Sequence, residues 1–183
     1  MTEIQNIYVV DTSSFVELGK LPQDILPFIW NQIVELIKEY RFITHFEVKR
    51  EILEYYKDDP IKDWVVQVDR RYHFVKDPTF FQGSMTGEIQ KKYPFFVDTD
   101  TDKPHADPCL IVQMIELEQG KQKTFADCEK NYFLVTEETE SSDRKNYSNP
   151  VEVTKLTDFC RVYNINFLKF WGMVRNEGWQ WKE

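Results

Sequence analysis

The sequence predicts an α/β chain in which a central parallel sheet carries helices on both faces. Two short apolar runs, Ile7-Tyr8-Val9-Val10 and Tyr132-Phe133-Leu134-Val135, lack polar alternation, the pattern of strands buried on both sides. Between and after them lie segments with apolar residues at three- and four-residue spacing, the period of a helix with one buried stripe. Both runs stop on polar residues, Asp11-Thr12-Ser13-Ser14 and Thr136-Glu137-Glu138. Strands alternating with helices imply parallel pairing, and open sheets of this kind bind ligands at the carboxyl ends of their strands.

The bulk numbers agree with one globular unit. At 183 residues, 42% hydrophobic and 15% aromatic, the chain is expected to form a single domain over residues 1–183. No apolar run approaches the roughly 20 residues needed to span a bilayer, and Met1 to Asn6 has neither the basic start nor the apolar core of a secretory signal. Cys109, Cys128 and Cys160 are odd in number and widely spaced, which suits reduced thiols in a cytoplasm better than a disulfide framework. The expectation is a cytoplasmic protein with no membrane partner. A net charge of −8 argues against holding nucleic acid by charge alone, while cations bound at clustered acids would offset part of it.

Taken in order, Ser13 to Lys20 predicts a short helix after the first strand, and Leu21 to Pro27 a connector with two prolines. Phe28 to Tyr40 reads as a helix with Ile29, Ile33, Leu36, Ile37 and Tyr40 on one side. Arg41 to Thr44 is a second strand, and His45 leads into a helix over Phe46 to Tyr56. Asp58-Asp59-Pro60 breaks it and opens the next, with Ile61, Trp64, Val65 and Val68 inward. Phe74 to Phe96 reads as a helix with a break, and Asp98 to Lys103 as a polar loop. A helix runs from Pro104-His105-Ala106-Asp107-Pro108 through Glu118 and ends at Gly120. After the strand at Tyr132–Val135 come a polar loop over Ser141 to Asn149, a helix over Val153 to Tyr163, a short strand at Ile165–Phe167 and a closing helix over Leu168 to Asn176.

This order gathers acids at one sheet edge: Asp11 after the first strand, Glu47 and Glu51 on one helix face four residues apart, Asp107 at a helix start, and Glu137 or Glu138 after a later strand. Carboxylates brought together repel unless cations sit among them, and their preferred partners are hard ions such as Mg²⁺ or Mn²⁺. With no nucleophilic Cys or Ser–His pair, the set suggests cation-activated water attacking a phosphodiester. Each acid also has a plainer role. Asp107 before Pro108 makes a good helix cap, Glu47 and Glu51 suit an exposed face, and Glu137 and Glu138 suit an acidic surface loop. Asp11 is hardest to explain away, because nothing in strand packing requires it.

Tyr8-Val9-Val10-Asp11-Thr12-Ser13, the Glu51-Ile52 helix, Ala106-Asp107-Pro108-Cys109-Leu110-Ile111 and Val135-Thr136-Glu137-Glu138 fall in the order of PIN-domain ribonucleases, and the chain resembles an uncharacterised PIN-like subfamily over nearly its whole length. The resemblance implies a three-layer α/β/α sandwich and cleavage of single-stranded or structured RNA that depends on Mg²⁺ or Mn²⁺. Asp11, Glu51 and Asp107 would occupy the family's metal-binding positions. Thr12, Ser13 and Thr136 would be hydroxyls that orient those acids. The family often has an aspartate after the later strand, where glutamates stand here, so Glu137 and Glu138 both remain candidate ligands, as does Glu47 beside Glu51. A toxin role with an antitoxin partner, and a homodimer, are further implications.

Other signals carry less. Asp98-x-Asp100-x-Asp102 lacks the glycine and the bidentate glutamate of a calcium loop. His45, His73 and His105 lack zinc spacing, and Gly83 and Gly87 are not followed by the Lys-Ser/Thr of a phosphate-cradling loop. In the aromatic tail, Phe167, Phe170 and Trp171 are expected in the core, while Trp179 and Trp181 suit an interaction surface. Competing functions are a catalytically inactive PIN-like module that binds protein, and a phosphatase with Asp11 as nucleophile. The second wants another aspartate where Ser13 stands. A receiver-type phosphoacceptor wants acids nearer its first strand than Glu3.

Overall fold

The computed structural model describes residues 3–93, 96, 105–121, 128–139 and 147–180. Five parallel strands lie in the order β3-β2-β1-β4-β5. They are β1 (Glu3–Val10), β2 (Phe42–His45), β3 (Val75–Lys76), β4 (Cys128–Val135) and β5 (Phe167–Leu168). The helices are α1 (Thr12–Gly19), α2 (Pro27–Lys38), α3 (Phe46–Tyr55), α4 (Pro60–Tyr72), α5 (Phe80–Lys92), α6 (Asp107–Lys121), α7 (Leu156–Val162) and α8 (Phe170–Asn176), with a 3-10 turn at Pro150–Glu152. By their contacts α1, α2, α3, α4 and α8 group together, and α5, α6 and α7 form a second group. The architecture is the expected three-layer α/β/α sandwich.

The two apolar runs are the paired centre of the sheet. Tyr8 lies opposite Phe133, Val9 opposite Leu134 and Val10 opposite Val135. Tyr8, Val9, Val10, Leu134 and Val135 are buried, as continuous apolar strands in a covered parallel sheet must be. Past β1 the chain moves outward to β2 and β3, then returns to the other side of β1 for β4 and β5. The order therefore reverses between β1 and β4, and the crevice at their carboxyl ends is where such sheets open to ligands.

One group of helices closes on an aromatic cluster, in which Phe15 meets Phe42 edge-on with centroids 5.8 Å apart and Trp30 meets Trp64 at 5.2 Å. In the other, the Phe159 ring centroid lies 3.8 Å from that of Phe96, with the rings tilted, and 4.7 Å from that of Tyr93, edge-on. The end of α8 is tied to the sheet through Glu177, which accepts from the buried Tyr8 hydroxyl at 2.6 Å and pairs with Arg41. No helix among the described residues is long and apolar enough to cross a membrane.

Several local expectations need correcting. The stretch after Phe74 holds a strand, β3, before its helix. The strand is two residues long, too short for any periodic signal. Gly120 lies inside the last turn of α6 and does not end it. In α8 the spacing of Phe170, Met173 and Val174 sets the buried face, so Trp171 turns outward, while Trp179 packs against the core. The Asp98–Lys103 loop, Trp181 and residues 141–146 of the polar loop before α7 lie outside the described residues.

His45 closes β2 and caps α3. Its Nδ1 accepts from the Glu47 amide at 3.1 Å and its Nε2 faces Gln82 Oε1 at 3.3 Å, which places the ring proton on Nε2. Burial holds the imidazole below its ordinary value, and protonation would remove the acceptor that caps α3. The neutral form belongs to the folded state. Its contribution is thus present above the ordinary histidine range near 6.5 and is lost as pH falls through the lower folded value. Urea unfolding at pH 7 and pH 5 should show a loss of stability on acidification that is smaller in His45→Asn, which keeps a capping acceptor without the titration. An equal loss in both proteins would contradict this role.

Candidate functional site

The carboxyl ends of β1 and β4 come together around Asp11, the first residue past β1 and the cap of α1. The ladder runs one residue beyond the strand, with the Asp11 amide donating to Val135 O at 2.9 Å and the Thr136 amide to Leu168 O at 3.0 Å. This fixes both backbones before any side chain is placed. Asp11 Oδ1 then accepts from the Thr12 amide at 2.6 Å, and Oδ2 accepts from Ser13 Oγ at 2.6 Å and Thr136 Oγ1 at 2.9 Å. Ser13 Oγ also accepts from the Glu137 amide at 2.9 Å and Thr136 Oγ1 from the Glu138 amide at 3.2 Å, and the two hydroxyls lie 3.3 Å apart, so Asp11 Oδ2 is the closer acceptor for each. Burial pushes the Asp11 carboxyl above its ordinary value, against the pull of these donors.

Three more acids join it from three other segments. Glu51, on α3, accepts from the Ala106 amide at 2.8 Å through Oε1 and from the Thr12 hydroxyl through Oε2. Burial raises its carboxyl, and the charge of Asp11 adds to the effect. Glu138, beyond β4, accepts from the Leu156 amide at 2.9 Å, and burial and Asp11 raise it as well. Asp107 opens α6. Its carboxyl stands well above its ordinary value, pushed up first by burial and then by the charges of Asp11, Glu138 and Glu51. The four acids thus share one electrostatic neighbourhood. The ion pairs of Lys20, Lys38, Arg41, Lys49 and Arg50 go to other acids.

The other candidates are placed elsewhere. Glu47 sits one turn before Glu51 and pairs with Arg50 at 2.8 Å. Glu137 turns to α8 and accepts from the Phe170 amide at 2.7 Å. Glu137 and Glu138 are therefore both helix caps, and they serve helices whose own cap residues, Lys169 and Lys155, supply no side-chain cap. A sequence signal for this exists: neither helix starts with Ser, Thr, Asp or Asn, so its first amides need a distant acceptor. Thr12, Ser13 and Thr136 all hold acids of the group. The structure brings Asp11, Glu51, Asp107 and Glu138 together and leaves Glu47 and Glu137 outside.

In kind, this donor set suits a hard divalent cation, being carboxylate oxygen throughout, although the charges of Lys155 and His105 already offset part of the repulsion at Glu138 and Glu51. Among the described residues no group of three or more His, Cys, Asp or Glu side chains stands where it could hold a metal ion. Asp11, Glu51 and Glu138 are each drawn onto hydroxyls or amides, but those bonds leave lone pairs on their carboxylates, since each oxygen carries two.

A family model described as "Domain of unknown function (DUF4411)" matches residues 8–181. No curated protein matches the chain.

Because Asp107 is opposed by burial and by three like charges, neutralising it should relieve the metal-free fold. In EDTA at pH 7.5, Asp107→Asn should melt about 2–4 °C above the parent chain, the equivalent of about 1 kcal/mol for this size. A lower melting temperature would show that the carboxylate is a net stabilising contact.

Proposed function

The chain belongs to the family described as Domain of unknown function (DUF4411), and we propose that it is a divalent-metal-dependent ribonuclease whose Asp11, Glu51, Asp107 and Glu138 hold the cation. The observation that carries this reading is a set of four acids from four separate segments, all raised by burial and three of them also by the charges of their neighbours, at the point where the sheet order reverses. The resemblance to PIN-domain ribonucleases supports it. When bound, Mg²⁺ or Mn²⁺ supplies positive charge to the phosphate and lowers the pKa of water for attack at phosphorus.

The chain's own part is to hold the carboxylates still. Ser13 and Thr136 both place a hydroxyl on Asp11 Oδ2, the shorter contact of each, while lying 3.3 Å from one another. Thr12 and the Ala106 amide fix Glu51 against the start of α6, which ties it to the residue preceding Asp107. The Leu156 amide fixes one oxygen of Glu138. Hydrolysis adds hydroxide to phosphorus and a proton to the departing oxygen of the RNA. An antitoxin partner and a homodimer rest on the resemblance alone. A protein-binding module that keeps the fold without the chemistry is the second reading, favoured by the hydrogen bonds that Asp11, Glu51 and Glu138 already make.

Cleavage of mixed RNA by the full chain should require Mn²⁺ or Mg²⁺ and stop in EDTA. Asp11→Asn should lower it at least about a hundredfold, and Thr136→Val, which removes a hydroxyl that orients Asp11, by about 10- to 100-fold. Cleavage that survives EDTA or Asp11→Asn would overturn the proposal, and a chain that neither binds Mn²⁺ nor cuts RNA would favour the binding module.

A further inference from the structure

Three buried polar atoms among the described residues have no hydrogen-bond partner: Ser14 Oγ, Gln113 Oε1 and Thr157 Oγ1. A hydroxyl kept from water with nothing to pair with costs about 1–3 kcal/mol, so such a group calls for a reason. Thr157 has one within reach. It is the second residue of α7, only 1% exposed, and its amide together with that of Leu156 holds the Glu138 carboxylate. Cys160, three residues on and so on the same face of α7, is buried where the charges of Glu138 and Asp107 both reach its thiol. Thr157 stands one turn nearer Glu138 on that face. Ser14 has its amide on the Asp11 carbonyl at 3.1 Å rather than on a carboxylate, and Gln113 lies in the middle of α6, away from its start at Asp107.

We propose that the Thr157 hydroxyl is a ligand-contacting group of the carboxylate pocket and pairs with an oxygen of what binds beside Glu138 and Asp107. That oxygen belongs to a substrate phosphate or to a water that enters with the cation. The inference rests on the metal-dependent reading of the pocket and adds to it a residue from α7. It also explains why a hydroxyl is kept where valine would fill the same volume without the unpaired oxygen.

The test compares the full chain with Thr157→Val and Thr157→Ser. In EDTA, Thr157→Val should melt at or above the parent chain, because the hydroxyl it removes has no internal partner. In calorimetric titration with Mn²⁺, Thr157→Val should bind about fivefold more weakly and Thr157→Ser close to normally. A deficit with Mn²⁺ alone identifies a water oxygen, and a deficit that appears only with added inorganic phosphate identifies a phosphate oxygen. Equal affinities with and without phosphate overturn this inference alone, as does a loss of metal-free stability in Thr157→Val, which would mean a purely internal partner. Failure of the parent chain to bind Mn²⁺ overturns the metal reading and this inference with it.

Discussion

Gathering four carboxylates at one sheet edge, Asp11 buried and Glu51, Asp107 and Glu138 half-buried, is the constraint on which the rest of this structure depends. Like charges repel, and partial burial removes some of the water that would otherwise screen them. The chain meets this with donors. Asp11 takes the Thr12 amide and the Ser13 and Thr136 hydroxyls, Glu51 takes the Ala106 amide and the Thr12 hydroxyl, and Glu138 takes the Leu156 amide. Asp107 is pushed up by burial and by all three of the others. Among the described residues Lys155, beside Glu138, and His105, beside Glu51, set positive charge against these acids.

The fold supplies the positions. Because β1 and β4 pair over their full length, Val10 and Val135 end level, and the residues that follow them meet across the crevice. The helices then lock the acids in place by their starting turns: α6 through Ala106, α7 through Leu156 and α8 through Phe170. Capping and charge-gathering are the same contacts here. Two neighbouring glutamates with similar sequence surroundings are thereby given different tasks, Glu137 holding α8 and Glu138 facing Asp11 and Asp107.

Much of this was legible in the residues. The apolar runs Ile7–Val10 and Tyr132–Val135 announced buried parallel strands, and their abrupt ends at Asp11 and Thr136 marked the edge where a site would form. Helical spacing located α2, α3 and α4 to within a residue or two of their bounds. What stayed hidden depended on the third dimension. A two-residue strand has no period, so β3 could not be seen before its neighbours were placed. The sequence leaves Glu47 against Glu51 and Glu137 against Glu138 open; in the structure Arg50 pairs with Glu47 and α8 takes Glu137, while the charges of Glu51 and Glu138 reach Asp107. Thr157 was invisible for a related reason, since an unpaired hydroxyl is a property of packing and leaves no mark on composition.

The account stands or falls on whether a divalent cation takes its place among Asp11, Glu51, Asp107 and Glu138. A crystal of the full chain grown with Mn²⁺ and measured at the manganese absorption edge answers this directly. The account predicts an anomalous peak among these four carboxylates, within about 2.0–2.5 Å of oxygens from Asp11 and Asp107. A crevice without that peak at saturating Mn²⁺, or one in which a lysine or arginine side chain lies between Asp11 and Asp107, would contradict it.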